Sequence, residues 1–255
     1  MGSRVLLPSL AAAALLASCS TPGVDRDERP LDLAPDRLRC VVALFDRVQG
    51  YGSGVAVGDD LLLTAWHVAE SLKDESGDLA FRSGWKLVHG TVVASDADAD
   101  WALVRVDAPT WSAGDVATVA AGAERDEVHP GRELWIASYA GPFFEDHRVD
   151  PRRIAPVIRV LEVRGERGEF LGTGRDAALA GGSGGGVFVW DRSRDAFELV
   201  GTFVAQSKEE RTLRLPFGIE VPLPTVRRTV FARAPAAAIQ VLRAAGIERD
   251  EGDLP

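Results

Sequence analysis

Apolar and polar positions change their spacing several times along this chain. Val5 to Ala17 is a nearly unbroken run of Ala and Leu, Ser20 to about Asp36 is polar and rich in Asp and Pro, and from Arg39 onward short apolar segments alternate with Gly, Asp and Ser clusters. That last pattern predicts strands. In the first half they fall at Cys40–Phe45, Gly54–Val57, Leu61–Thr64, Lys86–Ala94 and Ala102–Val106. In the second half they fall at Glu133–Ser138, Val157–Val163, Glu169–Gly172, Val187–Trp190, Leu199–Ala205 and Ile219–Pro222. Pro235, followed by Ala236 to Ala245 and then Gly246, reads as a terminal helix with a proline in its first turn and a glycine past its end. The expected fold class is all-β with one C-terminal helix.

The same pattern divides the chain. Arg4 followed by thirteen mostly apolar residues is an export signal, too short to cross about 30 Å of hydrocarbon as a permanent helix. Residues 1–18 are therefore read as a signal peptide and 19–37 as a flexible tether that cannot bury enough apolar surface to order itself. The folded part is expected over 38–255. Its first β-rich half spans about 38–108, a small polar connection about 109–129, a second β-rich half about 130–232 and the helix about 235–245.

Composition narrows the function classes. The chain has 255 residues, 46% of them hydrophobic, enough for a sizeable core. A formal net charge of -9 and a pI near 5.0 argue against a general nucleic-acid binder, which needs a basic face. Loss of residues 1–18 removes Arg4, leaving 28 basic against 38 acidic residues and a net charge of -10. Cys40 is then the one cysteine besides Cys19, and its apolar setting makes it a small core residue.

Three stretches carry candidate chemistry. Gly181-Gly182-Ser183-Gly184-Gly185-Gly186 sets one hydroxyl among glycines that let the backbone turn its amides toward a single point. His67 sits at the end of the strand within the run Leu61 to Ala69, and Asp100 directly precedes the strand that begins near Trp101; Asp98 is the alternative acid. The spaced aspartates Asp96, Asp98 and Asp100 lack the Gly and terminal Glu of a calcium loop, so no metal or cofactor is expected.

Thr64-Ala65-Trp66-His67, Asp100-Trp101-Ala102-Leu103-Val104 and Gly181-Gly182-Ser183-Gly184-Gly185 together resemble the trypsin-like, chymotrypsin-fold serine proteases, in particular the bacterial HtrA-like and secreted type. Further matches are Gly52-Ser53-Gly54-Val55, Gly131 to Ala137 and Phe217 to Pro222. The resemblance implies two six-stranded antiparallel β-barrels and a triad of His67, Asp100 and Ser183 in the family's order, at spacings of 33 and 83 positions. It assigns the oxyanion hole to the backbone N–H groups of Gly181 and Ser183. By position it places Ala177, Val204, Ala205, Gln206, Gly218 and Glu220 around bound substrate, with a lean toward small or medium apolar side chains. An α/β-hydrolase would want the order Ser, Asp, His.

Leu16-Ala17-Ser18-Cys19 similarly resembles the bacterial lipobox, which implies a lipid-modified Cys19 and an exported protein held at the cell envelope. The chain departs from the family in two ways. Gly182 stands where many animal members have the aspartate that binds a newly formed N-terminus. Only a short tail follows the second half, so no peptide-binding PDZ domain is expected. The expected function is peptide-bond hydrolysis on a protein or peptide substrate; the alternative is a silent fold of the same type used for binding.

Overall fold

In the computed structural model, the described residues are 38–46, 50–83, 86–120, 129, 132–139, 157–164, 167–172, 182–209, 212–222 and 226–250. The signal segment, Cys19 and the tether lie outside them. The described residues all belong to one compact unit, Leu33–Pro255.

The first half closes on itself. Strands β1 (Val41–Asp46), β2 (Gly50–Ala56), β3 (Leu61–Thr64), β4 (Leu79–Ser83), β5 (Lys86–Asp96) and β6 (Trp101–Val106) form a closed barrel in the order β1-β2-β3-β6-β5-β4, and helix α1 (Trp66–Ser71) follows β3. Side-chain parity explains the uniformly apolar Leu61-Leu62-Leu63. Leu62 points into the barrel with Val42, Ala56, Phe81 and Val104. Leu61 and Leu63 point outward, yet they too are buried, against Trp135, Ala137, Phe188 and Leu199 of the second half. A strand buried on both faces has no need of alternation.

The second half repeats the design. Strands β8 (Glu133–Ala137), β9 (Val157–Arg164), β10 (Arg167–Gly172), β11 (Gly186–Asp191), β12 (Ala196–Glu209) and β15 (Val226–Arg233) pair in the order β8-β9-β10-β15-β12-β11, and the β11–β8 pairing closes the ring. Leu134, Ile136, Val187, Val189, Val200, Phe203 and Phe231 fill its interior. Trp135 and Phe188 alternate with them and face the seam, where Phe197 meets Trp135, Phe188 and Trp190 edge-on at centroid distances of 5.7, 6.3 and 4.8 Å. Two barrel cores and a shared layer between them therefore account for most of the buried apolar residues. The short strand β7 (Thr118–Val119) adds in parallel beside β12.

Several elements differ from the sequence expectation. Strands β4 and β15 were not anticipated, and β12 is longer than Leu199–Ala205. Ile219–Pro222 does not join the second barrel. Because β12 and β15 stay paired out to Glu209↔Val226, the chain between them forms its own ribbon of β13 (Thr212–Arg214) and β14 (Glu220–Pro222). The terminal helix α2 (Ala236–Asp250) continues past Gly246. It docks by Ile239, which is fully buried, and by Arg243, whose guanidinium donates through Nε to the Val57 carbonyl and at 3.0 Å to the Ala117 carbonyl. Arg105 reciprocates with a 2.7 Å hydrogen bond to the Leu242 carbonyl. Burial lowers the pKa of Arg243 below the usual guanidinium value.

Candidate active site

Antiparallel register places the first two candidate residues together. Thr64 of β3 pairs with Ala102 of β6, so the chain leaving β3 runs alongside the chain entering β6. His67 lies just beyond the first, in the opening turn of α1, and Asp100 just before the second, in the turn from β5 to β6. Asp100 adopts φ 62°, a left-handed conformation that aspartate tolerates better than most residues. Asp96 supports this turn by accepting a 2.8 Å hydrogen bond from the Ala99 amide.

The carboxylate of Asp100 holds His67 twice. Its Oδ1 accepts the backbone N–H of His67 at 3.0 Å, and Nδ1 of the ring lies 2.9 Å from Oδ2 and 3.1 Å from Oδ1. An acceptor at that position assigns the ring proton to Nδ1 and leaves the Nε2 lone pair available. The Asp100 side chain is 12% exposed and that of His67 46%, so a mostly desolvated carboxylate carries a ring that opens to solvent. Asp98, the alternative acid, is exposed.

Ser183 approaches from the second barrel on the turn Gly182–Gly185 that leads into β11. Gly184 has φ +87°, and a Cβ there would lie 2.0 Å from the Ser53 carbonyl oxygen and 2.4 Å from Thr64 Oγ1. Only glycine meets both demands. The turn is fastened on two sides. Gly184 donates to the Phe203 carbonyl at 2.8 Å, Phe203 returns a 2.7 Å bond to the Gly185 carbonyl, and Ser53 of β2 donates its amide to the Ser183 carbonyl at 2.7 Å.

The Ser183 hydroxyl itself donates to the carbonyl of Val204 at 3.0 Å. That carbonyl is aimed by an irregularity in the sheet, for the pairing of β12 with β15 shifts register between Phe203 and Ala205. Such bulges redirect a backbone group out of the ladder. Beyond this point β12 stays paired with β15 on one side, whereas β11 pairs with it only as far as Thr202, among the described residues.

The remaining candidates separate. Val204 is buried and Ala205 exposed next to Ser183, and Gln206 continues the same strand. Gly218 and Glu220 sit in the β13–β14 ribbon, where a Cβ on Gly218 would meet nothing within 4 Å and Glu220 pairs with Arg214 at 2.8 Å. Phe217 at the ribbon tip is 100% exposed, with φ 71°. The long β12–β15 pairing sets Gly218 and Glu220 on this separate hairpin. Ala177 and Gly181 lie outside the described residues. Among the described residues no cluster of three His, Cys, Asp or Glu side chains gathers as metal ligands. Ser53 and Thr64, which support the Ser183 turn, were legible only as parts of the Gly52–Val55 and Thr64–His67 motifs.

Comparison with known proteins agrees with this fold. The chain matches solved structures of the Rv3671c protease from M. tuberculosis in its active form, with a TM-score of 0.52 at 16% identity over 85% of this chain and 86% of that one. It also matches the inactive form, with a TM-score of 0.50 at 17% identity over 85% and 95%. Kallikrein-related peptidase 10 aligns with a TM-score of 0.50 at 16% identity over 81% and 95%. These likenesses concern the fold. A comparison with curated sequences found no match. The model of the trypsin-like peptidase domain matches residues 52–196, more than half of the chain and inclusive of His67, Asp100 and Ser183. The protein belongs to the trypsin-like peptidase family.

Proposed function

We propose that this protein is a serine endopeptidase in which Ser183 is the nucleophile, His67 the general base and Asp100 the residue that orients it. The observation that carries the reading is the His67–Asp100 pair, with the Nδ1 contact at 2.9 Å and a second bond from Asp100 to the His67 amide. His67 Nε2 takes the Ser183 proton as Oγ attacks the scissile carbonyl, then returns it to the leaving amine, and the acyl-enzyme is hydrolysed by water through the same steps. Asp100 stabilises the imidazolium that forms between them. The backbone N–H groups of Gly181 and Ser183 receive the developing oxyanion, each worth about 2.7 to 4 kcal/mol in the transition state.

The resting hydroxyl points to Val204 rather than toward the base, so attack requires Oγ to exchange one hydrogen bond for another. A neutral hydrogen bond of this kind contributes about 0.5–1.5 kcal/mol, a modest addition to the barrier. A substrate lying along β12 would bring a backbone N–H to compete for the Val204 carbonyl, since strand addition is the recurring way such an edge binds peptide. The orientation of Ser183 also favours a second reading, a silent trypsin-like fold used for binding. Incubation of the purified chain with a mixed peptide library decides between them: fragments that disappear with Ser183→Ala support the peptidase, and equal fragment patterns from both proteins support the silent module.

Export and lipidation of Cys19, holding the domain at a bacterial cell envelope, complete the proposal and rest on the lipobox-like Leu16–Cys19. Several acyl chains at about 0.8 kcal/mol per buried CH₂ give long-lived attachment. Metabolic labelling with a fatty acid should tag the wild type and leave Cys19→Ala untagged.

A further inference from the structure

Ser53 lies on β2 of the first barrel, is fully buried, and bonds to the Ser183 turn, to the end of β3 just ahead of His67 and to the second barrel. Its amide donates to the Ser183 carbonyl at 2.7 Å. Its carbonyl accepts from Thr64 Oγ1 at 2.7 Å, three residues before His67. Its hydroxyl reaches across the seam to the second barrel, accepting from the Tyr139 amide at 2.8 Å and donating to the Tyr139 carbonyl at 3.2 Å. A buried hydroxyl is costly unless bonded, and here both of its hydrogen-bonding capacities are used on one backbone unit of the opposite barrel.

The location of that unit gives the contact its meaning. Tyr139 directly follows Ala137 and Ser138, and these form one wall of the slot that holds the Ser183 turn: a Cβ on Gly185 would lie 2.4 Å from Ser138 Cβ and 2.5 Å from the Ala137 carbonyl oxygen. The opposite wall is Ser53 itself, whose carbonyl oxygen would lie 2.0 Å from a Cβ on Gly184. The turn is therefore gripped between the two barrels, with no room for side chains on either glycine. We propose that Ser53 is a positioning residue whose hydroxyl bolts these two walls together and so fixes the Ser183 turn against the His67 side of the cleft. This rests on Ser183 being the nucleophile. Fixed geometry of reacting groups is worth orders of magnitude in rate, and displacement by about 1 Å costs about 100-fold.

Ser53→Ala removes both bonds to Tyr139 while leaving the backbone contacts to Ser183 and Thr64 in place, and Ser53→Thr restores the hydroxyl. The test follows inactivation by a fluorophosphonate, separating the maximal rate from the half-saturating concentration, together with amide exchange of the 182–186 segment and the melting temperature. Ser53→Ala is expected to lower the maximal rate about 10- to 100-fold with a nearly unchanged half-saturating concentration, and to speed exchange in 182–186. Ser53→Thr should recover most of both. Val200→Ala, in the second barrel core, serves as a control for general loss of stability. If Ser53→Ala reacts within about twofold of wild type, or if the control gives an equal loss of rate and equal exchange in 182–186 at the same melting temperature, the positioning role is overturned. A wild-type chain that does not react through Ser183 instead overturns the peptidase reading, and exchange in 182–186 then decides the bolt alone.

Discussion

At the scale of residues, the site depends on a few groups whose surroundings allow little substitution. Asp100 combines an αL backbone, a buried carboxylate and two contacts to His67. Asp100→Asn keeps the shape but supplies an amide where the ring needs an acceptor, and turnover is expected to fall about 10⁴-fold, the scale established for triads of this kind. Asp98→Ala should leave turnover near that of the wild type, and steady-state rates on one peptide compare the two variants. At Gly184, alanine meets both a positive φ and the Ser53 carbonyl. The expected cost is more than about 1 kcal/mol of stability, measured by urea denaturation, with a slower reaction at Ser183. The identities of these residues were legible in the sequence because the residue types and order survive as local motifs. The direction of the Ser183 hydroxyl was not, since it follows from a bulge at Val204 that the pairing of β12 with the distant β15 creates.

At the scale of elements, legibility follows burial. Segments buried on at least one face, such as Leu61–Thr64 and Ala102–Val106, announced themselves by apolar runs. β15 carries Arg227, Arg228 and Arg233, which interrupt the apolar pattern, and β13 has three exposed residues and no core-facing signal. Helix α2 shows a weak stop signal overridden by its surroundings. Glycine costs about 1 kcal/mol relative to alanine inside a helix, a penalty that a helix already docked through Ile239 and Arg243 can absorb. Arg243→Ala removes the bonds to Val57 and Ala117, and a loss of about 1–3 kcal/mol is expected from chemical denaturation.

At the scale of the whole molecule, the two barrels share a buried face. His67 and Asp100 come from one barrel and Ser183 from the other, so the seam sets their relation. Leu63 lies fully buried in that seam, and Leu63→Ala should cost about 2–5 kcal/mol in urea unfolding, since neighbours fixed in two barrels collapse poorly onto a cavity. The two-barrel plan was reached from family motifs rather than from periodicity, because short strands predict a sheet but not the order in which it closes. The central claim, that this seam assembles a working nucleophile, is tested most directly by treating the purified chain with a fluorophosphonate and mapping the adduct by mass spectrometry. One adduct on Ser183, lost in Ser183→Ala and strongly slowed in His67→Ala, is the expected result. An unmodified Ser183 under conditions where the folded protein persists, or labelling that survives both substitutions, would contradict it.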